Sequence, residues 1–205
     1  MKAIIFDFDG VIHDTVEDLH RIHCQTLEHL TMNEMLENVF GGNPRKYMEK
    51  FNLERKQGFE EAWKQHIETL TLEPVIRNEL ETLSQKYTLF IVSSNTELNL
   101  HTYFKNNNFA NIFRKIYGAE THKSKIEKFR ILLNDAKLRT QDCVFVTDTL
   151  GDILEASDVG IKTIAVDFGF HKREKLEAGN PFEIVSDFKE ITSAVNRFFD
   201  EKVYN

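Results

Sequence analysis

The 205 residues hold 26 Lys and Arg against 33 Asp and Glu, a formal net charge of -7, with 41% hydrophobic and 29% charged residues. That length exceeds a common domain of roughly 100 to 150 residues, so one domain with an insertion, or two small domains, are expected. The acidic balance argues against nucleic-acid polymers and acidic membranes as partners. No apolar stretch approaches the roughly 20 residues that span a bilayer, and the start MKAIIFDFDG lacks the apolar core of a signal peptide, so a soluble cytoplasmic protein is expected.

In chain order, Ala3 to Phe8 is a short apolar run of strand length that ends among Asp7, Asp9 and Gly10. From Thr15 to Leu72 no strand-like run appears. Leu19, Ile22, Thr26, Leu27 and Leu30 recur at helical spacing, and Gly41-Gly42-Asn43-Pro44 breaks the pattern. Leu53, Phe59, Trp63, Ile67 and Leu70 then continue it and are expected to form a small core of their own. A helix over Glu73 to Lys86 precedes a strand over Thr88 to Ser93. A helix over Ser124 to Lys137 precedes a strand over Cys143 to Thr147, and a helix over Asp152 to Val159 precedes a strand over Thr163 to Phe168. Unbroken apolar strands alternating with helices predict an α/β protein with a parallel sheet buried on both faces. Cys24 and Cys143 are too few for a disulfide framework and are expected as buried free thiols.

Ligands of open parallel sheets bind where the strands end. The first run ends in Asp7 and Asp9, the second in Ser93-Ser94-Asn95, the third in Thr147-Asp148 followed by Gly151-Asp152; His122-Lys123-Ser124-Lys125 opens the helix before the third. Acids, hydroxyls and a lysine together describe a phosphate site. Four converging carboxylates would repel one another unless a cation lay among them, and all-oxygen ligands select a hard ion, Mg²⁺. Asp7 would then be a nucleophile toward phosphorus. Asp9, two residues on and on the same side of an extended chain, would protonate the leaving oxygen and later deprotonate water. Ser93, the Ser94 amide and a lysine would hold the phosphoryl oxygens, with Asn95 beside them.

The segments DFDGVIHDT, IVSSN, a downstream Lys and FVTDTLGD resemble, in order, the four motifs of the haloacid dehalogenase superfamily, in its branch of phosphohydrolases related to phosphoglycolate phosphatase. The resemblance spans nearly the whole chain, including the closing stretch IAVDFGFHKREKLEAGNPFEIVSDFKEI. It implies a Rossmann-like core over residues 1–14 and 73–205, with helices on both faces of the sheet, and a small helical cap over 15–72. It also implies that Asp7 is nucleophile and Mg²⁺ ligand, and that Asp9 is acid/base with its backbone carbonyl on the metal. Ser93 would bind phosphate, Asp148 would be a further ligand, and Asp152 would lie next to the ion or bridge to it through water. Thr147 stands where Gly is usual, and would narrow the loop. The phosphate-site lysine is expected at Lys123, 25 positions before Asp148, with Lys125, 23 before it, as the alternative. Ser124 and Glu127 suggest a capping box at that helix.

The expected activity is Mg²⁺-dependent hydrolysis of a small phosphorylated metabolite through an aspartyl-phosphate, with no protein partner implied. A phosphomutase would use the same residues, and a binding or regulatory protein could keep the fold without turnover. Attack on carbon by a dehalogenase needs neither metal nor Asp9. His13, Arg45 and Lys46 are candidates for contact with the substrate's leaving group. His20 and His23 lack a third ligand and are expected on a solvated helix face. Asp14 is expected to cap or hinge the next helix.

Overall fold

The apolar runs stay unbroken because both faces of the sheet they build are dry. The computed structural model describes residues 1–40 and 47–201. Strands β1 (Ala3–Phe6), β2 (Thr88–Val92), β3 (Lys115–Tyr117), β4 (Cys143–Thr147), β5 (Lys162–Val166) and β6 (Glu183–Val185) form one sheet in the order β3-β2-β1-β4-β5-β6, with every pair parallel. Along β1, Ile4 and Phe6 join a cluster containing Leu80, Ile191 and Phe198, whereas Ala3 and Ile5 join one containing Phe129, Leu132 and Ile161. Period-two alternation therefore sends successive side chains into two different apolar layers, and neither face needs polar residues. β3 and β6 have no counterpart in the sequence reading. Each has three residues, too short to register a period, and both are outer strands carrying Lys115 and Glu183, the short charged edges that resist pairing with other chains.

Among the described residues, helices α1 (Val16–Thr26), α2 (Met32–Asn38) and α3 (Leu53–Ile67) follow β1. The rest interleave with the strands: α4 (Pro74–Ser84), α5 (Glu97–Asn106), α6 (Lys125–Ala136), α7 (Leu150–Asp158), α8 (Arg173–Glu177) and α9 (Phe188–Glu201). α1 and α3 run antiparallel: His66 Nε2 lies 2.8 Å from Asp18 Oδ2 near one end, and Arg55 donates to the Leu27 carbonyl at 2.8 Å near the other. The expected separate core does not form in this segment. Trp63, Ile67 and Leu72 belong to the cluster that holds Ile4, Phe6 and Phe8, and Leu53 is 69% exposed. The chain is fastened where it returns, since Asn107 accepts the Leu72 N–H at 2.7 Å and donates to the Leu70 carbonyl at 3.0 Å. The break at Gly41 to Pro44 lies outside the described residues.

Smaller expectations divide. Ser124 begins α6 without a side-chain cap and Glu127 instead pairs with Arg130, whereas a capping box forms at Thr31 and Glu34 of α2. His23 is buried, its ring between the Glu28 carbonyl and the Tyr47 hydroxyl at 3.0 and 3.2 Å, so it is no solvated face; His20 is half-buried against the Leu30 carbonyl. Both thiols are free, Cys143 buried and Cys24 only half so. Asp14 accepts the N–H of Val16, the first residue of α1. Among the described residues no helix is long and apolar enough to cross a membrane.

Candidate active site

The strand order places the site. From β1 the chain builds β2 and β3 on one side, then returns to build β4, β5 and β6 on the other, so the carboxyl ends of β1 and β4 adjoin where the winding reverses. Phe6 pairs with Val146, and the Asp7 N–H continues the ladder to the Val146 carbonyl at 2.9 Å. Register therefore brings Asp7 beside Thr147 and Asp148. Asp152, in the first turn of α7, completes a group of three buried carboxylates whose oxygens lie within 4.8 Å of one another.

Lys125 stands inside this group. Its Nζ donates to Asp7 Oδ2 at 2.6 Å and to Asp152 Oδ2 at 2.7 Å, all three side chains being buried. Thr147 Oγ1 donates to the same Asp152 oxygen at 2.9 Å. The hydroxyl at the position where Gly is usual therefore anchors an acid. Asp148 accepts the Phe170 N–H on Oδ2 at 2.8 Å, while its buried Oδ1 has no donor among the described residues. Gly10 has φ +74°, and a Cβ there would lie 1.9 Å from Asp148 Oδ2; one on Gly169 would lie 2.3 Å from it. Two glycines thus make room for one carboxylate.

Asp9 is held separately. Its Oδ1 accepts from Thr15 Oγ1 at 3.0 Å and its Oδ2 from Asn95 Nδ2 at 3.4 Å. Thr15 caps no backbone N–H of α1, because its hydroxyl is directed at Asp9 instead. Asn95 Oδ1 is occupied by the Thr96 N–H and the Asn99 amide.

A cavity of about 230 Å³ is lined by Asp7, Asp9, Asp148, Asp152, Lys125 and Lys123, with Ser94, Thr149, Gly151, Glu155, Phe40 and Phe170 completing its wall. The two candidate lysines are thus placed differently: Lys125 is buried against Asp7, whereas Lys123 is exposed on the cavity wall. Of the serines, Ser94 faces the cavity. Ser93 is fully buried, with Oγ accepting the Asn95 N–H at 3.1 Å and its carbonyl accepting from the buried Lys128. His13 lines neither this cavity nor the larger one beside it, its Nδ1 meeting the Tyr103 hydroxyl at 3.1 Å. Arg45 and Lys46 lie outside the described residues.

Several residues at the site had no clear signal in the sequence. Thr15 and Thr147 read as a helix cap and a strand end. Phe40 and Phe170, whose rings meet at 4.2 Å over the cavity, are 130 positions apart. Lys128 follows Lys125 by three, a helical spacing that would have placed both on one face.

The charges do not balance within the protein. Three carboxylates against one ammonium, all ionised, leave two negative charges in a buried site. Burial pushes the Asp7 carboxyl up to about 8, against the pull of Lys125 and with the added repulsion of Asp152. Burial, with Asp7 next in weight, also raises Asp148 well above the ordinary carboxylate range. For Asp152 burial acts the same way, but Lys125, Asp7 and Thr147 outweigh it and hold the carboxyl below its ordinary value. Burial raises Asp9 to about 6, the Thr15 hydroxyl, Lys125 and Asn95 opposing. A divalent cation fits this deficit in sign, in size and in its preference for oxygen, and the undonated Asp148 Oδ1 is a free ligand atom.

Residues 4–166 match the family of haloacid dehalogenase-like hydrolases. A 5′-nucleotidase of Pseudomonas aeruginosa is 27% identical over 201 residues, covering 90% of both chains. A phosphoglycolate phosphatase of Vibrio parahaemolyticus is 21% identical, covering 95% of this chain and 96% of its own. Among solved structures, a haloacid dehalogenase-like family hydrolase from Streptococcus pneumoniae superposes with a TM-score of 0.79 at 24% identity, over 94% of this chain and 97% of its own. With its parallel sheet, its ordered motifs and this match over most of its length, the chain belongs to the haloacid dehalogenase-like hydrolases.

Proposed function

We propose that the protein is a Mg²⁺-dependent phosphomonoesterase acting on a small phosphorylated metabolite through an aspartyl-phosphate on Asp7. The observation that carries this reading is the arrangement of Asp7, Lys125 and Asp152 at 2.6 and 2.7 Å, beside an Asp148 oxygen without a donor and on the wall of a cavity shared with Asp9. The 5′-nucleotidase and phosphoglycolate phosphatase relatives support phosphate-ester chemistry.

In this mechanism Asp7, Asp148 and Asp152, with the Asp9 backbone carbonyl, would hold Mg²⁺. The ion would supply the positive charge that lets an anionic ester approach an anionic carboxylate. Asp7 attacks phosphorus as the bond to the leaving oxygen breaks, and Asp9 gives its proton to that oxygen. Asp9 then takes a proton from water, which attacks the same phosphorus and breaks its bond to Asp7, releasing inorganic phosphate. Lys125 stays paired with Asp152 and balances the charge on the phosphoryl oxygens. We assign Lys125 this role because its ammonium touches Asp7, while Lys123 is placed to meet substrate at the rim. The helical segment 15–72 acts as the cap, with Phe40 over the site excluding water.

The test is release of inorganic phosphate from a panel of phosphate monoesters, with Mg²⁺ and with EDTA. Metal-dependent release is expected; no release from any ester in Mg²⁺ would sink the reading.

A further inference from the structure

We infer that the alcohol released from the substrate is bulky, uncharged and ring-bearing, of nucleoside size, and that it occupies the larger chamber between the helical segment and the sheet. The inference rests on the phosphomonoesterase reading for the reaction, but its argument comes from the chamber itself.

That chamber measures about 770 Å³ and shares Asp9, Phe40, Ser94 and Lys123 with the smaller cavity, so a substrate with its phosphate beside Asp7 would extend directly into it. Its wall is largely apolar: Leu19, Met35, Phe59 and Trp63 on one side, and Leu98 at the start of α5 on the other. Leu98 is 60% exposed, an apolar side chain left uncovered where a ligand would cover it. Phe59, half-buried on α3, offers a ring that a planar group could meet, with the buried Trp63 behind it on the same helix face.

Size and charge both disfavour a small anionic leaving group. Binding sites of roughly 300 to 1,000 Å³ enclose molecules of drug size, and a two-carbon hydroxy acid would leave most of this wall against water. The described lining holds Lys56, Lys64 and Lys123 against Asp9, Glu49, Glu60 and Glu61, so it offers a second anion no excess of positive charge. Gln57 and Thr96 add hydrogen-bonding groups for the polar edges of a sugar or base. An apolar wall, a polar rim and, among the described residues, no excess of positive charge together describe the complement of a nucleoside.

The experiment compares kcat/KM in Mg²⁺ for a purine nucleoside 5′-monophosphate, ribose 5-phosphate, phosphoglycolate and acetyl phosphate. The nucleotide is expected to exceed phosphoglycolate by roughly 30-fold or more, as burial of a ring's apolar surface implies, with ribose 5-phosphate between them. Leu98→Glu, a change at an exposed position, is expected to lower the ratio of nucleotide to acetyl phosphate turnover by roughly tenfold, acting mainly through KM. Phosphoglycolate equal to or better than the nucleotide, or a Leu98→Glu loss equal for both substrates, would overturn the inference. Absence of release from all four substrates would instead count against the phosphatase reading. Calorimetric titration with the nucleotide would then still decide the chamber's occupant: binding tighter than phosphoglycolate and weakened by Leu98→Glu supports it, and no binding overturns it.

Discussion

Asp7→Asn is expected to abolish turnover and, at the same time, to stabilise the metal-free protein. Burial raises the Asp7 carboxyl from 3.8 to about 8. A carboxyl with a folded pKa above its unfolded one binds its proton more tightly in the folded state, so stability is lost as pH rises through the interval between the two values. At pH 7 the interval already crossed corresponds to at most about 4 kcal/mol, and relaxation of a buried charged site lowers such a figure, so a gain of about 2 kcal/mol is expected. The asparagine keeps the shape, and its amide oxygen can still accept from Lys125 or the Phe8 N–H, which bond Asp7 at 2.6 and 2.7 Å. Melting in EDTA at pH 7 should therefore occur roughly 4 to 8 °C higher in the variant, the difference closing toward pH 4. Mg²⁺ should stabilise the wild type more than the variant, and phosphate release should fall by roughly 10⁴-fold or more. A variant that melts at or below the wild type across this pH range in EDTA would refute the charge argument. Undiminished phosphate release would refute Asp7 as nucleophile.

Three further outcomes follow from the same geometry. Lys125→Met should lower kcat by roughly 10² to 10³, whereas Lys123→Met should change kcat/KM by at most about tenfold; steady-state kinetics giving the reverse order would return the phosphate role to Lys123. Thr147→Val removes the donor to Asp152, and should cost about 1 to 3 kcal/mol in urea denaturation and weaken Mg²⁺ binding; no change in either would make the hydroxyl idle. With Asp9 raised to about 6, kcat/KM should fall as pH rises through that value, because the protonated acid is the donor. In Asp9→Asn that limb should vanish and the rate drop by roughly 10² to 10⁴, and a wild-type profile flat through the same region would contradict the assignment.

The charge deficit also relates stability to function. A cluster that holds three acids and one lysine is costly without a cation, and the cost is concentrated on Asp7 and Asp148. Thr147 and the Phe170 N–H offset part of it by donating to Asp152 and Asp148, and Thr15 supports the neighbouring Asp9 in the same way. These supports are neutral groups, so they orient the carboxylates without filling the place of a cation.

The parts of this protein written locally were readable in its sequence. Four inner strands follow from short apolar runs, three of them unbroken, because a strand buried on both faces is apolar along most of its length, and acids that end such runs are out of place unless a ligand meets them. The two edge strands were not readable, since three residues with a charge among them carry no period. Nor could periodicity show that Trp63 and Ile67 join the main cluster, because it marks a buried face but not what covers it. Tertiary structure alone distinguished Lys125 from Lys123. Lys125 is the first residue of α6, whereas Lys123 precedes the extended Ser124 and stands outside the helix, so one lies under Asp7 and the other at the rim. It alone directed the Thr147 and Thr15 hydroxyls toward acids, and brought Phe40 against Phe170 across 130 positions. The candidate site residues are legible by type and spacing along the chain; the bonds that aim them, and the chamber beside them, exist only once the sheet's winding has brought distant loops together.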